Sequence, residues 1–158
     1  MTAGPTFELA SRRATQELAR RLAPHLASGD LVVLSGPLGS GKTFFTRALC
    51  HALGLPGNVR VPSPTFTLVH EHDTDPPVSH ADLYRLSTPE QVRELGLDAQ
   101  RDEGRLLVVE WGEPYVAALG GDALVITFSL DPRRAEFSST GSRSGELCRA
   151  MERERAAE

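Results

Sequence analysis

The segment from Gly36 to Thr43 carries the clearest chemical signal in the chain. It reads Gly-Pro-Leu-Gly-Ser-Gly-Lys-Thr and matches the phosphate-loop pattern GxxxxGK[ST] at every fixed position. Its glycines let the backbone curl so that successive N–H groups point at phosphate oxygens. We expect Lys42 to reach the β- and γ-phosphates and the Thr43 hydroxyl to bind Mg²⁺. The residues expected to contact the nucleotide here are Pro37, Leu38, Gly39, Ser40, Gly41, Lys42, Thr43 and Phe44.

The residues on either side supply the structural context that a phosphate loop requires. Residues 30–35 are typical of a short buried strand, and residues 44–53 place apolar side chains at helical spacing. Gly54 is a predicted helix C-cap. A glycine-rich turn without a ligand is the alternative, but the order strand, loop and helix favours nucleotide binding.

Two carboxylates are predicted to lie beside the phosphates. The segment 78–86 looks like a strand that ends near Asp82, and acids at the carboxyl ends of parallel strands face the ligand crevice. Glu110 follows four apolar residues, which is the Walker-B pattern of a buried strand carrying an acid that orients Mg²⁺ or its water. Glu113 is predicted instead to lie at a helix start. We therefore expect Thr43 and Glu110 to form the metal shell.

The segment Ser63-Pro64-Thr65 is predicted to form a stiff loop, because Pro62 and Pro64 exclude a helix. The alternating residues 66–70 after it are typical of a strand. In nucleotide switches a loop threonine commonly senses the γ-phosphate and Mg²⁺, which makes Thr65 a candidate. From this stretch alone an ordinary turn is the favoured interpretation.

Composition limits the classes of function. A chain of 158 residues with 40% hydrophobic and 24% charged residues predicts one soluble globular domain over residues 1–158. The net charge of −4 argues against binding nucleic acid alone, because that affinity comes mostly from Lys and Arg. No signal peptide or membrane-length apolar run is present, which predicts a cytoplasmic location without membrane contact. Cys50 and Cys148 are predicted to be reduced structural thiols.

A zinc site is a weak alternative. His70 and His72 share a strand face, and His80 follows nearby. Zinc needs about four ligands at defined spacing, and the sequence offers no convincing candidates for the remaining ligands. We therefore do not predict zinc.

The remaining patterns predict a three-layer α/β fold with a mainly parallel sheet and an antiparallel edge near residues 123–139. A helix capped by Ser11 should run to about Leu26 with a kink at Pro24, and Thr15 at its start is a candidate for the nucleotide base. The other predicted elements are a strand at 7–9, a helix from Thr88 to Leu95, strands at 123–130 and 134–139, a loop at 138–145 and a helix from Glu146.

Four segments together resemble the TsaE (YjeE) family in order and spacing. They are residues 36–43, Ser63-Pro64-Thr65-Phe66, His80-Ala81-Asp82-Leu83-Tyr84-Arg85-Leu86 and Val109-Glu110-Trp111. The resemblance implies a small P-loop ATPase that uses ATP and Mg²⁺. It also implies a role, with TsaB and TsaD, in making threonylcarbamoyladenosine beside the anticodon of tRNAs that read codons beginning with A. Contact with tRNA would occur only through that complex.

The resemblance also implies roles for single residues. Lys42, Asp82 and Glu110 would be catalytic, Thr65 would belong to a switch-like loop, and Trp111 would be the aromatic residue of the site. Two positions depart from the family pattern. Pro37 stands where an acid is usual, and Ala81 stands where a bulky residue is frequent. Neither change removes a group that binds phosphate or metal.

Two alternative functions remain open at this stage. A small-molecule kinase on the same fold would need mobile arginines, but Arg93, Arg101 and Arg105 are scattered among acids rather than clustered. The second alternative is a non-catalytic interaction module that depends on bound nucleotide. It differs from an ATPase only in whether nucleotide hydrolysis matters for its function. The complete set of Lys, Thr and acidic positions favours an enzyme. Because the chain is short, we expect weak hydrolysis alone and completion of the site by partner proteins.

Overall fold

The computed structural model describes residues 1–158 as seven strands and five helices. The strands are β1 (Thr2–Glu8), β2 (Leu31–Ser35), β3 (Val69–His72), β4 (Val78–Asp82), β5 (Leu106–Glu110), β6 (Ala123–Ser129) and β7 (Arg134–Ser139). The helices are α1 (Arg12–Leu22), α2 (Lys42–Ala52), α3 (Pro89–Glu94), α4 (Leu97–Asp102) and α5 (Ser142–Ala156). Short 3₁₀ turns span Ala23–His25 and Glu113–Tyr115.

All seven strands form one sheet in the order β1-β7-β6-β2-β5-β4-β3. The four central strands, from β6 to β4, run parallel to one another. The predicted antiparallel edge is confirmed, since β7 pairs antiparallel with both β6 and β1. A second antiparallel strand, β3, pairs with β4 at the opposite edge. The sheet is therefore mainly parallel and carries antiparallel strands at both edges.

The sheet lies between two apolar layers, so the three-layer prediction is confirmed. In β2, Val32 and Leu34 face the larger cluster, whereas Leu31 and Val33 face the smaller one, as expected for side chains that alternate across a strand. The larger cluster includes residues of α1, α2 and α5, and the smaller includes residues of α3 and α4. This arrangement fixes the strand ends that carry the site.

The N-terminal half differs from the sequence-based predictions in its element boundaries. The first strand is longer than residues 7–9, because pairing with β7 extends it to Thr2–Glu8. Ser11 caps α1 as predicted, with its Oγ accepting from the Ala14 amide at 3.1 Å. The helix ends at Leu22 rather than Leu26, and Pro24 lies in the 3₁₀ turn. The strand expected at 66–70 begins only at Val69.

The C-terminal half shows two further differences. The polar stretch after Gly96 contains a helix, α4, and the last helix begins at Ser142 instead of Glu146. The earlier start has a distant cause, because both carboxylate oxygens of Asp122 accept from the backbone N–H groups of Arg143 and Ser144 at 2.9 Å. The strand that begins at Val78 ends at Asp82, as predicted.

Cys50 and Cys148 are both buried and unpaired, as expected for reduced structural thiols. Burial raises the pKa of the Cys50 thiol to about 12. No helix has the length and apolar character that a membrane span requires.

Candidate functional site

The phosphate loop connects β2 to α2 and has the strained backbone that its glycines permit. Gly36, Gly39 and Gly41 all have positive φ, and Gly41 immediately precedes the first turn of α2. A side chain on Gly36 would come within 2.5 Å of the Phe128 carbonyl oxygen. Glycine is therefore required at position 36 by both conformation and space.

Lys42 lies folded over this loop. Its Nζ donates to the carbonyl oxygens of Gly36 at 2.5 Å and Pro37 at 3.2 Å, and it lies 4.2 Å from the centre of the Trp111 ring. Burial lowers the pKa of Lys42, while the charges of nearby carboxylates oppose that shift. The ammonium group is thus already desolvated and held among oxygen atoms beside the loop.

The two predicted acids lie side by side where β4 and β5 end. Asp82 and Glu110 are register partners in the parallel pairing of these strands, and both are buried. The Thr43 hydroxyl lies 3.2 Å from each carboxylate oxygen of Glu110. The structure therefore brings the first turn of α2 and the Walker-B acid into direct contact, as the metal-shell prediction requires.

Residues 63–65 bring hydroxyl groups to the same place. Ser63 Oγ donates to Asp82 Oδ2 at 3.3 Å, and Thr65 Oγ1 donates to Ser63 Oγ at 3.2 Å. The second oxygen of Asp82, Oδ1, accepts from the Tyr84 amide at 3.0 Å. Thr65 begins a turn over residues 65–67, as the ordinary-turn interpretation predicts, and it is also linked to the acid through Ser63.

These groups surround one cavity of about 390 Å³. Its lining residues are Leu38, Gly39, Gly41, Lys42, Thr43, Phe44, Ser63, Thr65, Asp82, Tyr84, Arg85, Glu110 and Trp111. Of the residues predicted from sequence, Pro37 and Ser40 do not line it. Pro37 contacts Lys42 through its carbonyl group, and Ser40 lines an adjacent cavity.

Sequence reasoning missed three lining residues and one that supports the site. Ser63, Tyr84 and Arg85 line the cavity, and the buried His80 contacts Glu110 with Nε2 2.6 Å from Oε2. All four residues belong to the motif segments described in the sequence analysis. Their place in those segments was the signal that could have identified them. Their contacts depend on how the loops fold back, and the spacing of residues in the sequence does not reveal this.

The adjacent cavity, of about 360 Å³, lies beside the start of α1. Thr15, which was a candidate for the nucleotide base, lines it together with Ser40, Gly41 and Phe44. The Ser40 hydroxyl is buried without a hydrogen-bond partner. Because Gly41 and Phe44 line both cavities, the two meet at the phosphate loop.

The donor set fits Mg²⁺ better than zinc. Thr43 offers a hydroxyl oxygen and Glu110 offers carboxylate oxygens, with Asp82 nearby. Mg²⁺ prefers such oxygen ligands and is usually held by one or two carboxylates together with substrate phosphates. No group of three or more His, Cys, Asp or Glu residues is arranged to hold a metal ion.

Comparison with known proteins identifies the family. A sequence model described as threonylcarbamoyl adenosine biosynthesis protein TsaE matches residues 9–136. The chain belongs to the TsaE family. The resemblance noted from the four motifs is therefore confirmed.

Individual relatives of the TsaE family agree with this assignment. The chain is 46% identical over 113 residues to the tRNA threonylcarbamoyladenosine biosynthesis protein TsaE of Streptomyces coelicolor, covering 69% of this chain and 74% of that protein. It is 33% identical over 143 residues to the TsaE protein of Bacillus subtilis, covering 88% of each. The crystal structure of Bacillus subtilis YdiB superposes with a TM-score of 0.78 at 28% identity, over 98% of both chains.

Proposed function

We propose that this TsaE-family chain is a Mg²⁺-dependent ATPase that acts with TsaB- and TsaD-type proteins in the threonylcarbamoylation of tRNA. The family name supports the pathway. The single observation that carries the activity is the contact between Thr43 and Glu110 at 3.2 Å beside the phosphate loop. It joins the phosphate-binding and acidic halves of a P-loop active site at one cavity.

Binding of the triphosphate would begin at the loop backbone. The N–H groups at the start of α2 and around Gly39 and Gly41 offer donors to phosphate oxygens, and the helix dipole favours their negative charge. Lys42 would exchange its contacts with Gly36 and Pro37 for phosphate oxygens. Since its ammonium is already desolvated, little water has to be removed when it meets the phosphates.

Hydrolysis would then depend on positioning and electrostatics more than on covalent chemistry. Bound Mg²⁺ would supply charge neutralisation at the β- and γ-phosphates. Thr43 and Glu110 would hold that ion, and Asp82, whose orientation is fixed by Ser63 and Tyr84, would orient the attacking water. Lys42 would stabilise the charge that develops on the phosphoryl oxygens.

The rim of the cavity supports a dependence on partner proteins. Leu38, Phe66 and Tyr84 are large apolar residues that are 71%, 84% and 59% exposed. Leu38 and Tyr84 line the cavity, and Phe66 lies under the guanidinium of Arg85, 4.8 Å from it. Exposed apolar groups clustered at one site mark interaction surfaces more often than isolated ones do. A partner that covers them would also exclude water from the nucleotide.

The small-molecule kinase is disfavoured by the placement of its candidate arginines. Arg101 donates to the carbonyl oxygens of Gly29, Leu119 and Gly121, and Arg105 donates to that of Val78 at 2.6 Å. Arg93 contributes only an exposed pair with Glu90. None of the three lines the cavity of the phosphate loop. Arg101 and Arg105 bind backbone carbonyl groups of the fold, and Arg93 lies at the surface away from the cavity.

Binding and turnover by the isolated chain test this proposal. Trp111 is the only tryptophan and lies against Lys42, so its fluorescence should change when ATP binds with Mg²⁺. Phosphate release should be slow, should require Mg²⁺, and should disappear in Lys42→Ala. If the chain binds ATP but releases no phosphate under any condition, the result would favour a non-catalytic interaction module. Absence of binding would overturn the proposal.

A further inference from the structure

His80 is a fully buried histidine beneath the nucleotide site. It lies on β4, two residues before Asp82 and therefore on the same face of the strand. Its Nε2 atom lies 2.6 Å from Oε2 of Glu110, and its Nδ1 atom has no hydrogen-bond partner. The one polar contact of this ring is thus with the Walker-B acid.

The contact makes the two oxygens of Glu110 unequal. Oε2 meets both His80 Nε2 and Thr43 Oγ1, whereas Oε1 meets Thr43 Oγ1 alone. Donation by Nε2 requires a proton on that nitrogen. A bond to one oxygen at this distance fixes the rotation of the carboxylate. The less occupied oxygen, Oε1, then remains available beside Thr43.

The neighbouring histidines have no comparable contact. His70 is the register partner of His80 on β3 and is half-buried, and His72 is buried with its Nε2 atom unpartnered. Neither makes a hydrogen bond to Asp82 or Glu110 in the structure. The arrangement is therefore specific to His80 and is not a general property of a histidine-rich sheet edge.

We propose that His80 is a positioning residue, which holds Glu110 through the Nε2–Oε2 bond in the orientation that receives the divalent cation of the nucleotide-bound state. This inference rests on the proposed function, since it assumes that Glu110 is a metal ligand. Partners that orient ligating groups are a regular part of metal sites, and their loss typically lowers metal affinity about 10–100-fold. His80 would act on the metal through Glu110 without touching substrate.

Substitutions that keep or remove a donor at the Nε2 position test the role. In His80→Gln the amide nitrogen can reach that position, whereas His80→Met fills a similar space without a donor. His70→Met makes the same change on the adjacent strand and is the matched control. Trp111 fluorescence would report binding of a non-hydrolysable ATP analogue, first in EDTA and then across a series of Mg²⁺ concentrations. Thermal melting without nucleotide would report the fold.

Mg²⁺ should strengthen nucleotide binding by His80→Met only at higher concentrations than in the wild type. We expect the Mg²⁺ concentration that gives half of this strengthening to rise about 10–100-fold. Affinity in EDTA should stay as in the wild type, because the phosphate loop is unchanged. His80→Gln should recover most of the Mg²⁺ response, and His70→Met should match the wild type. In a Glu110→Gln background, His80→Met should have no further effect on the Mg²⁺ response.

Two results would overturn the inference. One is a folded His80→Met variant with the Mg²⁺ response of the wild type, and the other is an equal loss of affinity in EDTA and in Mg²⁺. If His80→Met does not fold, the comparison of His80→Gln with His80→Asn replaces it. The Gln amide can reach the Nε2 position, whereas the shorter Asn amide cannot. Equal Mg²⁺ responses in those two variants would also reject the role. A wild-type chain that binds nucleotide without any response to Mg²⁺ would overturn the metal part of the proposed function, and this inference with it.

Discussion

At the scale of single residues, the contacts of Lys42 support the proposed binding of phosphate at the loop. Its ammonium is desolvated, contacts two loop carbonyl groups and lies on the Trp111 ring. Carbonyl oxygens and an aromatic face are weaker partners for a cation than phosphate oxygens are. The residue is therefore held in place by contacts that a nucleotide can replace.

Lys42→Ala should accordingly lose nucleotide binding and keep its fold. We expect ATP affinity to fall at least about tenfold, which corresponds to about 1.4 kcal/mol. Circular dichroism and the melting temperature in nucleotide-free buffer should remain those of the wild type. An unfolded variant would show that Lys42 is structural and that its assigned role is wrong.

Glu110 and Glu113 should differ sharply although they are three residues apart. Glu110 is buried and contacts Thr43, whereas Glu113 is exposed in the 3₁₀ turn. Glu110→Ala should abolish Mg²⁺-dependent phosphate release, and Asp82→Ala should do the same. Glu113→Ala should leave release largely intact. Equal losses at positions 110 and 113 would contradict this choice of metal-facing acid.

At the scale of elements, the predictions from sequence succeeded where the signal is local. The apolar residues of β2, the glycine loop and the Ser11 cap all act within a few residues of one another, so they could be predicted. The start of α5 was missed, because the carboxylate that accepts from its first-turn N–H groups belongs to Asp122, about twenty residues away. His80 was missed for the same reason, since its partner is on another strand. Tertiary contacts set these features, and spacing in the sequence does not show them.

The long-range cap of α5 gives a prediction for stability. Burial acts to raise the pKa of Asp122, but hydrogen bonds from Ser144 and Arg143 and the charge of Arg101 hold it below its ordinary value. Asp122→Ala should lower the free energy of unfolding at pH 7 by about 1–2 kcal/mol, as for other lost N-caps. Denaturant unfolding would measure the loss, with Asp73→Ala as a control at an exposed aspartate.

The pH dependence of that loss follows from the direction of the shift. A carboxylate whose pKa is depressed in the folded state contributes stability above its unfolded pKa, and the contribution disappears as pH falls through the folded value. The difference between wild type and Asp122→Ala should therefore be complete at pH 7 and shrink below about pH 4. A difference that stays constant down to acid pH would show that the charge of Asp122 is not what stabilises α5.

At the scale of the whole molecule, charge and surface set limits on what the chain does alone. It carries a net charge of −4, which disfavours independent binding of tRNA. The exposed Leu38 and Tyr84 line the cavity beside the phosphate loop, and the exposed Phe66 packs against Arg85, which also lines it. Both properties agree with an ATPase whose site is completed by other proteins and which meets tRNA only through them.

The most direct test of this account is phosphate release measured together with tRNA modification. Release from ATP and Mg²⁺ should be compared for the chain alone, with TsaB- and TsaD-type proteins, and with a panel of small phosphoryl acceptors, with Lys42→Ala as the inactive control. We predict that the two proteins raise hydrolysis at least about tenfold, a barrier lower by about 1.4 kcal/mol, and that repeated tRNA modification per complex requires that hydrolysis. Full modification without this chain, with no effect of the two proteins on its turnover, would contradict the account, and a phosphorylated acceptor formed in stoichiometric amount would identify a kinase instead.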